Sequence, residues 1–103
     1  MNEQQNVIIF YDIKDNNRRT KIAKRLLAFG LHRIQYSVFV GVVKRKYMST
    51  LIKVIEKHID IGAYPEDKLY IQPLGSDQYK QMIQIGKKTN WSGIFDLPDT
   101  IIF

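Results

Sequence analysis

The spacing of apolar residues alternates between a period of two and a period near 3.6, in the order strand, helix, strand, strand, helix, strand. Few folds accept that order. Val7 to Tyr11 is apolar on both alternating sets and rich in β-branched and aromatic residues, the signature of a central strand. Behind the cap-forming Asp15, Asn16 and Asn17, residues Ile22, Ala23, Leu26, Leu27 and Phe29 recur with helical spacing up to Gly30. From Leu31 to Val43 the period returns to two. Val38, Val40 and Val42 then share one face, Ser37, Phe39 and Gly41 share the other, and a bend near Gln35 and Tyr36 makes the segment a hairpin. Tyr47, Leu51, Val54, Ile55, His58 and Ile59 form a second helical stripe ending near Gly62, and Lys68 to Leu74 alternates as a fourth strand.

This order predicts an α+β, ferredoxin-like βαββαβ fold. Its sheet is four-stranded and antiparallel, with two helices on one face and the first and third strands, the most apolar segments, at the centre. The 103 residues make one domain, with a core at about 7–75 and a C-terminal extension at about 76–103 expected at a dimer interface. Within the extension the pattern suggests a helical turn at Gln78 to Met82, an extended piece at Ile83 to Ile85, a loop anchored by Trp91, and a terminal strand, Thr100 to Phe103, crossing to a partner's sheet edge. Two helices cover only one sheet face. Ile8, Phe10, Phe39 and Tyr70 fall on the other, so a second copy is the expected cover and the chain is read as a homodimer.

Charge narrows the function. Of 16 Lys and Arg, 12 lie between Lys14 and Lys57, where the only acids are Asp15 and Glu56. That footprint attracts polyanions, nucleic acid first, although a solvated basic surface is the plainer reading. With no cysteine, disulfides and thiolate metal sites are excluded, and no apolar run is long enough to span a membrane. The polar start shows no signal peptide, so a cytoplasmic location is expected.

Asp12 ends the first strand in phase with Ile8 and Phe10, facing the uncovered side at the carboxyl end of the strand, where loops diverge and chemistry gathers. If two sheets met there, two Asp12 carboxylates would repel unless a hard divalent cation, Mg²⁺ or Mn²⁺, lay between them. A capping or turn-forming aspartate is the alternative. Helical rotation turns Arg19 inward, at the strand tip towards Asp12. It turns Arg18, Lys21, Lys24 and Arg25 outward as a basic face for nucleic acid. His58, inside an apolar stripe, reads as a half-buried core histidine, His32 has no partner group, and Ser37 lacks a triad.

The strings Phe10-Tyr11-Asp12-Ile13, Arg18-Arg19, Gly30-Leu31 and, above all, Arg33-Ile34-Gln35-Tyr36-Ser37-Val38-Phe39 resemble the CRISPR-associated endonuclease Cas2 family, the small subunit of the spacer-acquisition machinery. The similarity runs from Val7 to about Leu74. It implies a ferredoxin-like homodimer whose Asp12 residues share a divalent metal, Mg²⁺ or Mn²⁺, with endonuclease activity on RNA or double-stranded DNA in some members. Other members act as a bridge between integrase dimers, so a CRISPR integrase subunit becomes an implied partner. By motif position, Arg19, Arg33, Ser37 and Phe39 match residues associated with nuclease function, and Arg33 joins the nucleic-acid-binding set. Lys21 stands where some members carry arginine, which keeps the charge but not bidentate phosphate recognition. A non-catalytic DNA scaffold, a toxin-type ribonuclease of related fold, and an RNA-recognition module are the competing readings. The last of these lacks its Lys/Arg-Gly-Phe-Gly-Phe-Val string.

Overall fold

A computed structural model of the protein describes residues 3–95. Strands β1 (Gln4–Asp12), β2 (His32–Gln35), β3 (Val38–Lys44) and β4 (Lys68–Leu74) form one sheet in the order β2-β3-β1-β4. All three pairings are antiparallel. Helices α1 (Asn16–Ala28) and α2 (Met48–Glu56) pack on one face, with a short 3₁₀ turn, Arg45–Tyr47, leading into the second. This is the expected ferredoxin-like arrangement, and the two most apolar strands, β1 and β3, are central. No helix among the described residues is long and apolar enough to cross a membrane.

Local chemistry sets the ends of α1. The Asp15 carboxylate accepts the Arg18 amide at 2.9 Å, satisfying one of the unpaired donors of the first turn. At the other end Gly30 takes φ +86, a left-handed conformation that costs a side-chain-bearing residue steric strain. Gly30 N then donates to Leu27 O at 2.9 Å and Leu31 N to Leu26 O at 3.2 Å, a Schellman closure that also brings two buried leucines together. Leu31 meets β3 at Gly41, where an added Cβ would lie 2.8 Å from Leu31 Cδ2.

The main core joins Val7, Ile9, Tyr11 and Ile13 to Phe39 and Val43 of β3, Ile22, Ala23 and Leu26 of α1, and Leu51 and Ile55 of α2. Phe39 therefore lies on the helix face, correcting its expected place beside Ile8 and Phe10. Ile9 pairs directly with Phe39, so the two side chains share a face, and a one-residue change of register is all that separates the two assignments.

The second sheet face differs from expectation in its cover. Tyr79, in a 3₁₀ turn at Gln78–Gln81, and Trp91 and Phe95 of a short helix α3 (Trp91–Phe95) pack on Val40 with Ile8, Val42 and Leu74 around them. The chain's own extension thus covers much of the face assigned to a second copy. Phe10 and Tyr70 stay outside this cover, stacked at 5.0 Å and 42% and 51% exposed. The helical turn near Gln78 is as expected. Ile83 to Ile85 joins no strand; Trp91 is the expected anchor, at the start of a short helix where a loop was expected. The Asn90 side chain caps that helix by accepting the Gly93 amide at 3.1 Å. The terminal strand expected at Thr100 to Phe103 lies outside the described residues.

Candidate nucleic-acid and metal site

The tip of β1 is a junction of three segments. Tyr11 N donates to Ser37 O at 3.2 Å, which ties the β2–β3 turn to the strand end, while Asp12 pairs with Lys68 at the start of β4. Strand alternation buries Val7, Ile9 and Tyr11 beneath the helices and leaves Asp12 on the second face with Ile8 and the open Phe10. The Asp12 side chain is 57% exposed, with Lys14 Nζ at 3.8 Å as its ion-pair partner. That pair is loose and solvated, worth little energetically, and easily displaced by a stronger cation.

Three carboxylates gather near this tip, and two are committed. Asp15 caps α1. Asp67 is buried, pairs with Arg18 and accepts the Lys14 amide at 3.3 Å. Only Asp12 remains open. The described residues contain no group of three His, Cys, Asp or Glu side chains able to hold a metal ion. Among the described residues the strand tip therefore offers a cation one open carboxylate, too few for an all-protein cage.

Arg19 turns inward at the strand tip as helical rotation suggests, but its partners are not the Asp12 carboxylate. Its Nη1 donates to Ile13 O at 2.8 Å and Lys14 O at 2.9 Å, and its Nη2 to Asn16 Oδ1 at 3.1 Å. The guanidinium fastens the loop that follows Asp12 instead of bonding the carboxylate. Arg33 is likewise turned to structure: Nε and Nη2 donate to Tyr36 O at 2.9 and 2.6 Å, and the guanidinium lies 4.8 Å from the Tyr36 ring and 5.2 Å from that of Phe39. Phe39 is fully buried and stacks on Tyr11 at 6.2 Å, so it positions the strand tip and cannot itself meet a substrate. Ser37 is half-buried and contributes its carbonyl to β1. Burial raises the Tyr11 phenol above its ordinary pKa, and the nearby Arg33 charge offsets part of that rise.

Of the four residues expected on the outward basic face, Lys21, Lys24 and Arg25 are exposed. Arg18 is the exception. Its side chain is 13% exposed, paired with Asp67, and stacked under the Tyr64 ring at 3.5 Å, because the loop between α2 and β4 folds over the first turn of α1. Lys21, Lys24 and Arg25 join Ala28 and His58 around an open concavity of about 470 Å³ between the two helices. His58 is half-buried there as expected, and its pKa is lowered by burial first, then by the charges of Arg25, Lys21 and Lys57.

Sequence reasoning missed Asp67 and Tyr36. A signal for Asp67 existed, since it directly precedes a strand whose first residue sits opposite Asp12.

Comparisons with known proteins agree with this geometry. Residues 5–82 match the family model described as CRISPR associated protein Cas2. The chain is 34% identical over 80 residues to the CRISPR-associated endoribonuclease Cas2 1 of Francisella tularensis subsp. novicida, covering 78% of each. It is 31% identical over 81 residues to the CRISPR-associated endoribonuclease Cas2 of Korarchaeum cryptofilum, covering 79% of this chain and 84% of that one. Among solved structures, Streptococcus pyogenes Cas2 superposes with a TM-score of 0.66 at 22% identity, covering 79% of this chain and 99% of that one, which bears on the fold. A hypothetical protein from Thermus thermophilus superposes with a TM-score of 0.62 at 30% identity, covering 70% and 83%.

Proposed function

The chain belongs to the Cas2 family of CRISPR-associated proteins, and from that premise we propose that it is a nucleic-acid-binding subunit of CRISPR adaptation, acting in the cytoplasm, whose homodimer cleaves phosphodiesters in RNA or double-stranded DNA. The observation that carries the reading is Asp12, the one uncommitted carboxylate at the strand tip, exposed on the face where Phe10 and Tyr70 also lack cover. A second copy seated on that aromatic pair would bury it and bring a second Asp12 close. Mg²⁺ or Mn²⁺ held by the two carboxylates would supply charge neutralisation and an acidified water.

The chain's own residues do the rest. Asp12 holds negative charge at a fixed place because Arg19 fastens the Ile13 and Lys14 carbonyls that follow it, and Asp67, paired with Arg18, accepts the Lys14 amide. Lys21, Lys24 and Arg25 draw the phosphate backbone to α1, and these contacts position without reading sequence. Arg33 stiffens the turn bonded to β1, so the scissile phosphate meets a strand tip that does not shift.

Cleavage by the Asp12→Asn variant, assayed with Mg²⁺ and Mn²⁺ on RNA and duplex DNA, tests the reading. Cleavage is expected to vanish while binding persists, and full cleavage by the variant would remove Asp12 from the chemistry. A second reading, a non-catalytic bridge between an integrase subunit and DNA, draws support from the one open carboxylate at the strand tip among the described residues and from guanidiniums bonded to loop carbonyls. That reading gains if the parent protein binds duplex but cuts nothing with either metal.

A further inference from the structure

Tyr36 is the most exposed aromatic side chain among the described residues, at 64%, and phosphodiester chemistry at Asp12 makes no use of it. It stands on the turn between β2 and β3. Arg33 grips the Tyr36 carbonyl through two hydrogen bonds of 2.9 and 2.6 Å and places its guanidinium 4.8 Å from the ring centre. The Arg19 guanidinium is 5.9 Å from the same ring. A ring held this way is presented to solvent with its orientation already fixed.

The ring forms one wall of a groove of about 260 Å³ whose other walls include Thr20, Lys24, Leu27 and Arg33. Leu27, half exposed, supplies apolar surface, and the exposed Lys24 supplies a cation. An aromatic plane, an apolar rim and cations within one small groove match the parts of a nucleotide: base, sugar and phosphate. The groove opens at the reaction end of the fold, since Ser37, next to Tyr36, accepts the amide of Tyr11, next to Asp12.

We propose that Tyr36 is a stacking platform for an unpaired nucleobase, its ring fixed by Arg33 and the phosphate drawn in by Lys24, so that the nucleic acid at the Asp12 end is single-stranded or frayed. The proposal rests on the nucleic-acid-binding reading above and specifies the ligand. Inside a continuous duplex both faces of every base are already stacked, and the ring has nothing to receive. An unpaired base offers a free face of any sequence, so the groove selects for strandedness and not for base identity.

The test is fluorescence anisotropy at fixed salt with a labelled short single strand, the same strand made abasic, and a matched duplex. The proteins are the parent chain, Tyr36→Phe and Tyr36→Leu. The parent is expected to favour the base-bearing strand over the abasic one by about 5- to 150-fold, the range of one aromatic stack. Tyr36→Phe keeps the ratio. Tyr36→Leu brings it near one while abasic and duplex affinities hold, which a purely structural role for the turn would not produce. An unchanged ratio in Tyr36→Leu, or an equal fall for all three ligands, overturns the proposal. If the parent binds duplex and both strands but ignores the missing bases, stacking alone falls. If it binds none of them, the nucleic-acid reading falls as well.

Discussion

The Arg18–Asp67 pair gives the sharpest energetic prediction, because both partners are removed from water. Asp67 is 1% and Arg18 13% exposed at the side chain, and the carboxylate also accepts the Lys14 amide. Asp67→Ala would strand a guanidinium under Tyr64 with no counter-charge. Breaking a buried pair from one side costs about 3–5 kcal/mol, against a total stability of about 5–15 kcal/mol for such a domain. A loss of about 4 kcal/mol lowers the melting temperature by roughly 15–30 °C in a chain of this size. The double variant Arg18→Met/Asp67→Leu removes both charges and refills the volume, so it should be more stable than Asp67→Ala alone. Thermal and urea unfolding of the parent, Arg18→Met, Asp67→Leu and the double variant, combined as a double-mutant cycle, measure the coupling, and Asp67→Ala measures the cost of the stranded charge. Single losses below about 1 kcal/mol, the worth of an exposed pair, would refute the burial argument. So would a double variant less stable than Asp67→Ala. A binding assay adds a second check: the salt dependence of DNA affinity should be unchanged in Arg18→Met, since this side chain is turned to Asp67 and Tyr64 and only 13% exposed.

Reversing Lys21, Lys24 and Arg25 together should weaken binding to unrelated duplexes alike and flatten the salt dependence by a slope of about 0.9 per lost phosphate contact, read from affinity against salt concentration. Phe39→Ala should cost about 3–5 kcal/mol in urea unfolding, and its cleavage loss should track the unfolded fraction, because the ring is packed and not presented. His58, with its pKa lowered in the fold, binds its proton more readily when unfolded. Its contribution is therefore intact above the unfolded value of about 6.5 and is lost as pH falls through the lower folded value. Urea midpoints from about pH 8 to about pH 5 should show that loss, and His58→Gln should reduce it.

Where the sequence was readable, the determinants were local. The unbroken run Val7 to Tyr11 reads as a central strand, and β1 is paired on both edges; the side of Asp12 followed from strand phase. Asp15 and Gly30 bounded α1 because capping and left-handed geometry involve neighbours a few residues away. The errors share the opposite property. Arg18 faces outward on a helical wheel, but its partner lies 49 residues on, and no period carries that information. Phe39 was placed on the wrong face because alternation gives two sets without saying which set meets the helices; only the Ile9 to Phe39 register does. Within the extension, the stretch from Ile83 to Phe95 differs from expectation for another reason. Its helix α3 spans five residues including a glycine, too short for periodicity, and its one local sign is the cap at Asn90.

On the function proposed above, these same details separate binding from chemistry. Arg18 pairs with Asp67 and Arg19 bonds the loop carbonyls, so the charge they bring to the β1 tip serves rigidity. The exposed cations Lys21, Lys24 and Arg25 sit on the helix surface, on the other side of the sheet from the face that carries Asp12. A ligand held on α1 must therefore pass the end of the sheet to reach the carboxylate, and the β2–β3 turn with Tyr36 stands at that end. Loss of the α1 charges should then reduce occupancy without altering the reaction of bound substrate, whereas loss of Asp12 should do the reverse. Single-turnover cleavage at saturating protein makes the distinction: charge reversal on α1 should leave the saturated rate unchanged, and a fall in that rate would mean that these cations act on the reacting phosphate itself.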